Sequence, residues 1–459
     1  MTPRPALGLW MCTALVVGSM VGSGVFLLPA SLSPYGGISI VGWLVSAGGA
    51  MCLALVMARL GALIPKVGGP YAFAREGFGD FVGFWVAWSY WISLLTANAA
   101  LAVATVSYAT VFWPVLGASP VAGGIASLVA LWGLTFVNVW GVRAAGHVQL
   151  VTTVLKLLPL AAIGTIGFLY FQPEHFRPFN PAGGNPLTAV TATVTLTLWA
   201  FMGLEAATVP AADVRDPART IPRATILGTV IAALIFVIST SAVMGIIAPA
   251  DLSVSTAPFA DAAGSIWGNA GRLVIGAGAT IACFGALNGW ILLSGQLPRA
   301  AAQDGLLPAA FARLSPRGTP SFGLIFAASV ATVLIAMNYT RGLVQAFTFL
   351  ILLSTLATLL AYVFASTTGL LFALRERSGA RAGSGARADA GAIPGPSAPV
   401  GRLVVAILAF GFSFWAIAGA GPETVFWGFL LLVAGVPVFV VMRARGGGRG
   451  EAGRGVESG

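Results

Sequence analysis

Gly22-Ser-Gly-Val-Phe-Leu-Leu-Pro29-Ala30 and Gly203-Leu-Glu-Ala-Ala-Thr-Val-Pro210-Ala211 share one register of glycine, proline and alanine. Each lies in the middle of a stretch otherwise apolar enough to cross a bilayer. Glycine inside a helix costs roughly 1 kcal/mol relative to alanine, and hydrocarbon adds the cost of any backbone group left unpaired. Such breaks survive where the freed amides and carbonyls line a cavity and meet a ligand. The second break also carries Glu205, an acid near the middle of its span.

The surrounding sequence is that of a membrane protein. Its 459 residues are 58% hydrophobic and 8% charged, where soluble domains carry about a quarter charged residues. Twelve apolar spans are read at roughly 8–31, 38–63, 81–111, 121–141, 148–171, 188–212, 224–248, 270–298, 321–338, 343–374, 400–420 and 424–442. They form one all-α polytopic domain over 1–442. Residues 378–399 read as a flexible small-residue linker, and 443–459 as a disordered Gly/Arg tail.

The net charge of +10 reports orientation rather than a nucleic-acid partner. Of the 24 Lys and Arg residues, only Arg177, Arg272 and Arg341 fall on the non-cytoplasmic side of the twelve-span arrangement. That asymmetry places both termini in the cytoplasm. Cys12, Cys52 and Cys283 stand far apart in apolar spans, and His147 and His175 sit alone at span ends. No disulfide framework, metal cluster or cofactor is expected. Walker, nucleophile-elbow and HExxH sequences are absent, so neither ATP-driven transport nor an enzyme is expected.

Spans 1–5, about 8–171, and spans 6–10, about 188–374, read as two repeats, each opening on a broken span. Five is odd, so the second repeat crosses the membrane in the opposite sense. Spans 11 and 12, about 400–442, stand outside the repeats. After Gly22, Ser23 and Gly24 a half-helix begins with free amides, which suit a carboxylate. The alternative reading is a small-residue packing face through Gly18 and Gly22, four apart, which Gly24 does not extend. Before Gly203 another half-helix ends near Trp199–Met202, and its last carbonyls suit an ammonium group. Together the two ends fit the backbone of an amino acid.

Glu205 reads either as a proton carrier and pH sensor or as a structural acid that holds the break together. Lys156, inside span 5, reads either as a snorkelling amine or as a buried substitute for a coupling cation. Tyr90, Leu94, Asn98 and Leu101 share one helical face of span 3, and Trp199, Trp290 and Ser294 offer aromatic and polar contacts of the same kind.

A set of colinear motifs resembles one known family. Gly22-Ser-Gly-Val-Phe-Leu-Leu-Pro, Gly69-Pro-Tyr-Ala-Phe-Ala-Arg and Leu198-Trp-Ala-Phe-Met-Gly-Leu-Glu205 are three of them. Pro217-x-Arg-x-Ile-Pro222, Thr256-Ala-Pro-Phe and Asp304-Gly-Leu-Leu-Pro are three more. Together they resemble the amino acid–polyamine–organocation superfamily, and within it the bacterial arginine/agmatine and ornithine/putrescine antiporters. The resemblance implies a five-plus-five inverted repeat with discontinuous helices 1 and 6 and two extra helices, usually as a homodimer. It implies a carboxylate site at Ser23 and Gly24, and an aromatic box of Trp199 and Trp290 with Tyr90 as gate partner. Asn98 and Ser354 would meet the distal end of the substrate, Met202 would line the site, and Glu205 would be the pH-sensing acid.

Three positions depart from the arginine antiporters: Ser19 in place of Asn, Leu94 in place of a small residue, and Lys156 in place of an apolar one. The lysine resembles the one that fills the sodium site in sodium-independent relatives of broader specificity. The expected activity is exchange of a cationic amino acid, such as arginine, for its decarboxylated amine, such as agmatine. A proton-coupled, sodium-independent permease using Lys156 and Glu205 is the alternative, and a non-transporting amino acid sensor a third reading.

Overall fold

In hydrocarbon a backbone satisfies its own polar groups most simply as a helix, and every regular element among the described residues is one. The computed structural model describes residues 8–64, 68–140, 157–181, 183–206, 214–381 and 399–452. Ten of its helices are long and apolar enough to cross a membrane. Two shorter apolar helices, Pro159–Tyr170 and Pro186–Phe201, fall where spans 5 and 6 are expected. Lys156 lies outside the described residues, as do residues 207–212 of span 6.

Span 1 divides into 1a, Leu9–Met20, and 1b, Ser23–Leu32. Gly22 departs from helical geometry between them, with φ −142° and ψ −147°. Span 6a, Pro186–Leu198, starts under an Asn185 cap whose side chain accepts the Leu187 amide at 2.9 Å. It tightens into a 3-10 turn at Trp199–Phe201 and breaks at Gly203, where φ is +102°. Both interruptions expected from sequence are present.

The remaining spans are 2 (Ile38–Leu63), 3 (Asp80–Ala109), 4 (Pro120–Trp140), 5 (Leu157–Ile166) and 7 (Pro217–Ile246). After them come 8 (Pro258–Gln303), 9 (Ser321–Asn338), 10 (Leu343–Arg381), 11 (Pro399–Ile417) and 12 (Pro422–Val433 with Gly435–Ala452). Spans 10 and 12 run on to Arg381 and Ala452, into stretches read from sequence as linker and tail. A helix already nucleated gains one hydrogen bond for each residue it adds, so it outlasts the apolar run that started it.

Packing follows the repeat. Span 1a packs on 7 and 6a on 2; 3 packs on 4 and 8 on 9; 4 packs on 8 and 9 on 3; 5 packs on 7 and 10 on 2. Exchanging each span of the first five with its counterpart in the second five turns every one of these pairs into another. The pairs 2–7, 3–8 and 4–9 map onto themselves. Span 3 is the centre, its most apolar window 100% buried, whereas span 12 turns outward with 11% buried.

The two broken spans cross each other in opposite directions. A Cβ placed on Gly24 would lie 2.9 Å from the Trp199 ring and 3.1 Å from the Ala200 Cα. One placed on Gly203 would lie 3.0 Å from the Ser19 Cβ. Numbers rise along one strand of the crossing as they fall along the other, as an inverted pair requires. Gly203→Ala adds a methyl group against Ser19 at a φ that side chains resist, so a loss of about 1–3 kcal/mol is expected. Thermal unfolding in detergent checks this, with Gly133→Ala, inside span 4 and with open space around it, as the control that should lose no stability.

Candidate functional site

A cavity of about 450 Å³ opens beside the crossing, within the volume range of small-molecule sites. Gly68, Arg299 and Gln303 frame its mouth, while Tyr90, Gly203, Glu205 and Trp290 line its inner end. Ser19 and Leu94, two of the positions where the chain departs from the arginine antiporters, lie on its wall.

Glu205 organises the inner end. It is 1% exposed, and its carboxylate accepts bonds from the Tyr90 hydroxyl and, at 2.9 Å, from the Tyr362 hydroxyl. The amides of Gly203 and of Glu205 itself bond to the same carboxylate. Spans 3, 6 and 10 therefore meet on one acid. The chain at the break is a run of turns, in which Met202 donates to the Trp199 carbonyl at 3.2 Å, Leu204 to Phe201 at 3.3 Å and Ala206 to Gly203 at 2.9 Å. Some carbonyls expected from sequence to face a ligand thus hold the break instead. The carboxylate supplies the acceptor that the interrupted helix no longer provides.

The other residues singled out from sequence sit behind the cavity wall. Trp199 and Trp290 lie against each other, centroids 6.0 Å apart and planes 31° from parallel, so in this conformation no slot for a side chain separates them. Trp290 faces the cavity, Trp199 lies behind it, and Gly24 lies behind Trp199. Ser23 Oγ and Asn98 Oδ1 are buried without a hydrogen-bond partner among the described residues. Ser354 donates to the Ser93 carbonyl at 2.8 Å, and Thr355 points at the Met202 sulfur at 3.8 Å.

A second polar group ties the chain beside the cavity mouth. The Tyr71 hydroxyl donates to Asp304 at 2.5 Å, and Arg75 pairs with Asp304 at 2.9 Å and with Asp80 at 2.7 Å. Two motifs distant in sequence, Gly69–Arg75 and Asp304–Pro308, are joined here. Burial, then the Asp304 carboxylate, holds the Tyr71 hydroxyl well above the usual phenol range, so it stays a donor at any physiological pH.

Sequence reasoning missed Tyr362, Arg299 and Gln303. Tyr362 had a signal, an aromatic hydroxyl deep in the apolar run of span 10. The other two are span-end residues whose role depends on what faces them.

Residues 7–444 match the family model described as amino acid permease. The cadaverine/lysine antiporter of Escherichia coli K12 is 37% identical over 338 residues, covering 73% of this chain and 76% of its own. The putrescine transporter PotE of the same strain is 30% identical over 442 residues, 96% of each chain. PotE of Haemophilus influenzae is 30% identical over 432 residues, 94% of this chain and 95% of its own.

Tyr362→Phe removes one donor of four and is expected to lower the unfolding free energy by about 1 kcal/mol. Glu205→Ala strands all four donors and should cost several times more. Equal losses in the two variants, measured by thermal or chemical unfolding in detergent, would show that the carboxylate does not organise the break.

Proposed function

The chain belongs to the amino acid permease family, and on that premise we propose that it exchanges a cationic amino acid for the amine left by its decarboxylation. It is a multi-pass membrane transporter, not an enzyme. The observation that carries the reading is the cavity at the crossing of two broken spans, with Tyr90, Trp290 and Glu205 at its inner end. The relatives lend support by their names: one pairs lysine with cadaverine, and others are named for putrescine. Arginine and agmatine, the pair suggested by sequence, stand beside lysine and cadaverine as cargoes to test.

In the proposed site the free amides at Ser23 and Gly24 take the substrate carboxylate, as a helix N-terminus favours an anion. The amino group meets carbonyls at the end of span 6a. Trp199 and Trp290 part to admit the side chain, with a cation held over a ring face. Asn98 and Ser354 meet its distal end, and Met202 lines the path. Amino acid and amine both reach this site through the cavity, and rocking of one group of spans against the other exposes it on the opposite face. The amine carries one more positive charge than the amino acid, so decarboxylation with exchange removes a proton equivalent from the cell. The cavity mouth faces the cytoplasm in the orientation set by the arginine asymmetry, and a homodimer in the inner membrane is the proposed assembly.

Proteoliposomes loaded with unlabelled cadaverine are expected to take up labelled lysine faster than empty ones. Ornithine with putrescine and arginine with agmatine are run in parallel. Absence of trans-stimulation across all three pairs would sink exchange. Trp290→Ala should lower kcat/KM by roughly tenfold or more through loss of the ring face, and Trp290→Phe by less.

A further inference from the structure

At the far end of span 3 from the cavity mouth, the ring of Tyr108 is fully buried. Its hydroxyl donates to the Phe26 carbonyl at 2.7 Å and accepts the Phe259 amide at 3.3 Å. The two groups stand differently within their helices. Phe26 lies inside span 1b, and its carbonyl takes the tyrosine bond on a second lone pair. Phe259 is the second residue of span 8, where amides have no acceptor within their own helix. One hydroxyl thus joins the backbones of two different spans.

The rings around it complete the seam. Phe26 stands edge-on to Tyr108 at 5.7 Å and 75°, and to Phe259 at 5.3 Å and 69°. Further out, Ser33 Oγ donates to the Pro249 carbonyl at 2.6 Å, and Ser31 Oγ meets Thr348 Oγ1 at 2.7 Å. Span 1b is therefore tied along its length on the side opposite the open cavity.

We infer that the Tyr108 hydroxyl is the latch that holds this side of the pathway shut while the cavity is open on the other. The inference rests on the transporter reading, since a latch has meaning only where access alternates. For cargo at Ser23 and Gly24 to leave by this side, span 1b must part from spans 3 and 8. That movement breaks both bonds of one hydroxyl together. Water replaces them on opening, so the bias is about one net hydrogen bond, a three- to tenfold shift in a two-state equilibrium. A bias of that size favours the closed side without trapping it. Tyr108 is a positioning residue here and does not touch the substrate.

Tyr108→Phe keeps the ring and removes the latch. Hydrogen–deuterium exchange is expected to quicken in peptides covering 22–33 and 254–263 and to stay unchanged in those covering 70–78. In proteoliposomes of known orientation, KM for cargo added on the Tyr108 side should fall and KM on the cavity side should rise, the two fold-changes multiplying to about three- to tenfold. Ser33→Ala, which removes the bond to Pro249, should shift both measurements the same way by less. Unchanged exchange at the two segments, or KM values that are unchanged or move in the same direction on both faces, overturns the latch. The exchange measurement reads the seam even if none of the three cargo pairs is transported, which separates failure of the latch from failure of antiport. If Tyr108→Phe does not yield folded protein, Ser33→Ala carries both measurements with the same criteria.

Discussion

A peptide group buried in hydrocarbon without a partner costs several kcal/mol, and the rest of this molecule is arranged around meeting that demand at two places. Where span 6 breaks, Glu205 supplies an acceptor for its own amide, for that of Gly203, and for the hydroxyls of Tyr90 and Tyr362. Where span 8 starts with amides that lack an acceptor, Tyr108 supplies one for Phe259 and donates to Phe26 of span 1b. In both cases a side chain takes over work that a helix leaves undone. Spans 3 and 10 are held to the broken spans by those bonds, so the breaks fasten the bundle together.

Packing symmetry follows from the same arrangement. Because each repeat opens on a broken span, the two breaks meet at the pseudo-axis, and close approach there depends on having no side chain at Gly24 and Gly203. The glycines accordingly act as a packing face as well as a source of free amides. The packing face offered by the sequence runs through Gly18 and Gly22, yet it is Gly24 that lets the Trp199 ring approach, next to Ser23 where a new helix begins.

Much of the architecture was legible because hydropathy and helix-breaking residues act locally. The spans, both interruptions and the involvement of Tyr90, Trp290 and Glu205 could be read from patterns within single segments. The bond of Tyr362 to Glu205 and the union of Tyr71, Arg75 and Asp304 could not, since they join residues 157 and 233 positions apart that no periodicity pairs. Both meanings offered for Glu205 concern one environment, and its four donors are the structural one made visible. Trp199 and Trp290, paired only by the family resemblance, lie against each other here, and sequence carries no information about which conformer is populated.

The opposed crossing of Ser19 with Gly203 and of Gly24 with Ala200 makes side-chain size at the two repeats a shared variable. Bulk added at one member of a pair displaces the other repeat, so substitutions there should combine non-additively, as contacting residues do. A chain built from two related halves thereby loses the freedom to let those halves drift independently at the crossing. Elsewhere, on the outward sides of spans 4 and 9, each position can change with little reference to its counterpart. Divergence between the repeats is thus expected to be greatest at the periphery and slowest where the two chains of backbone meet.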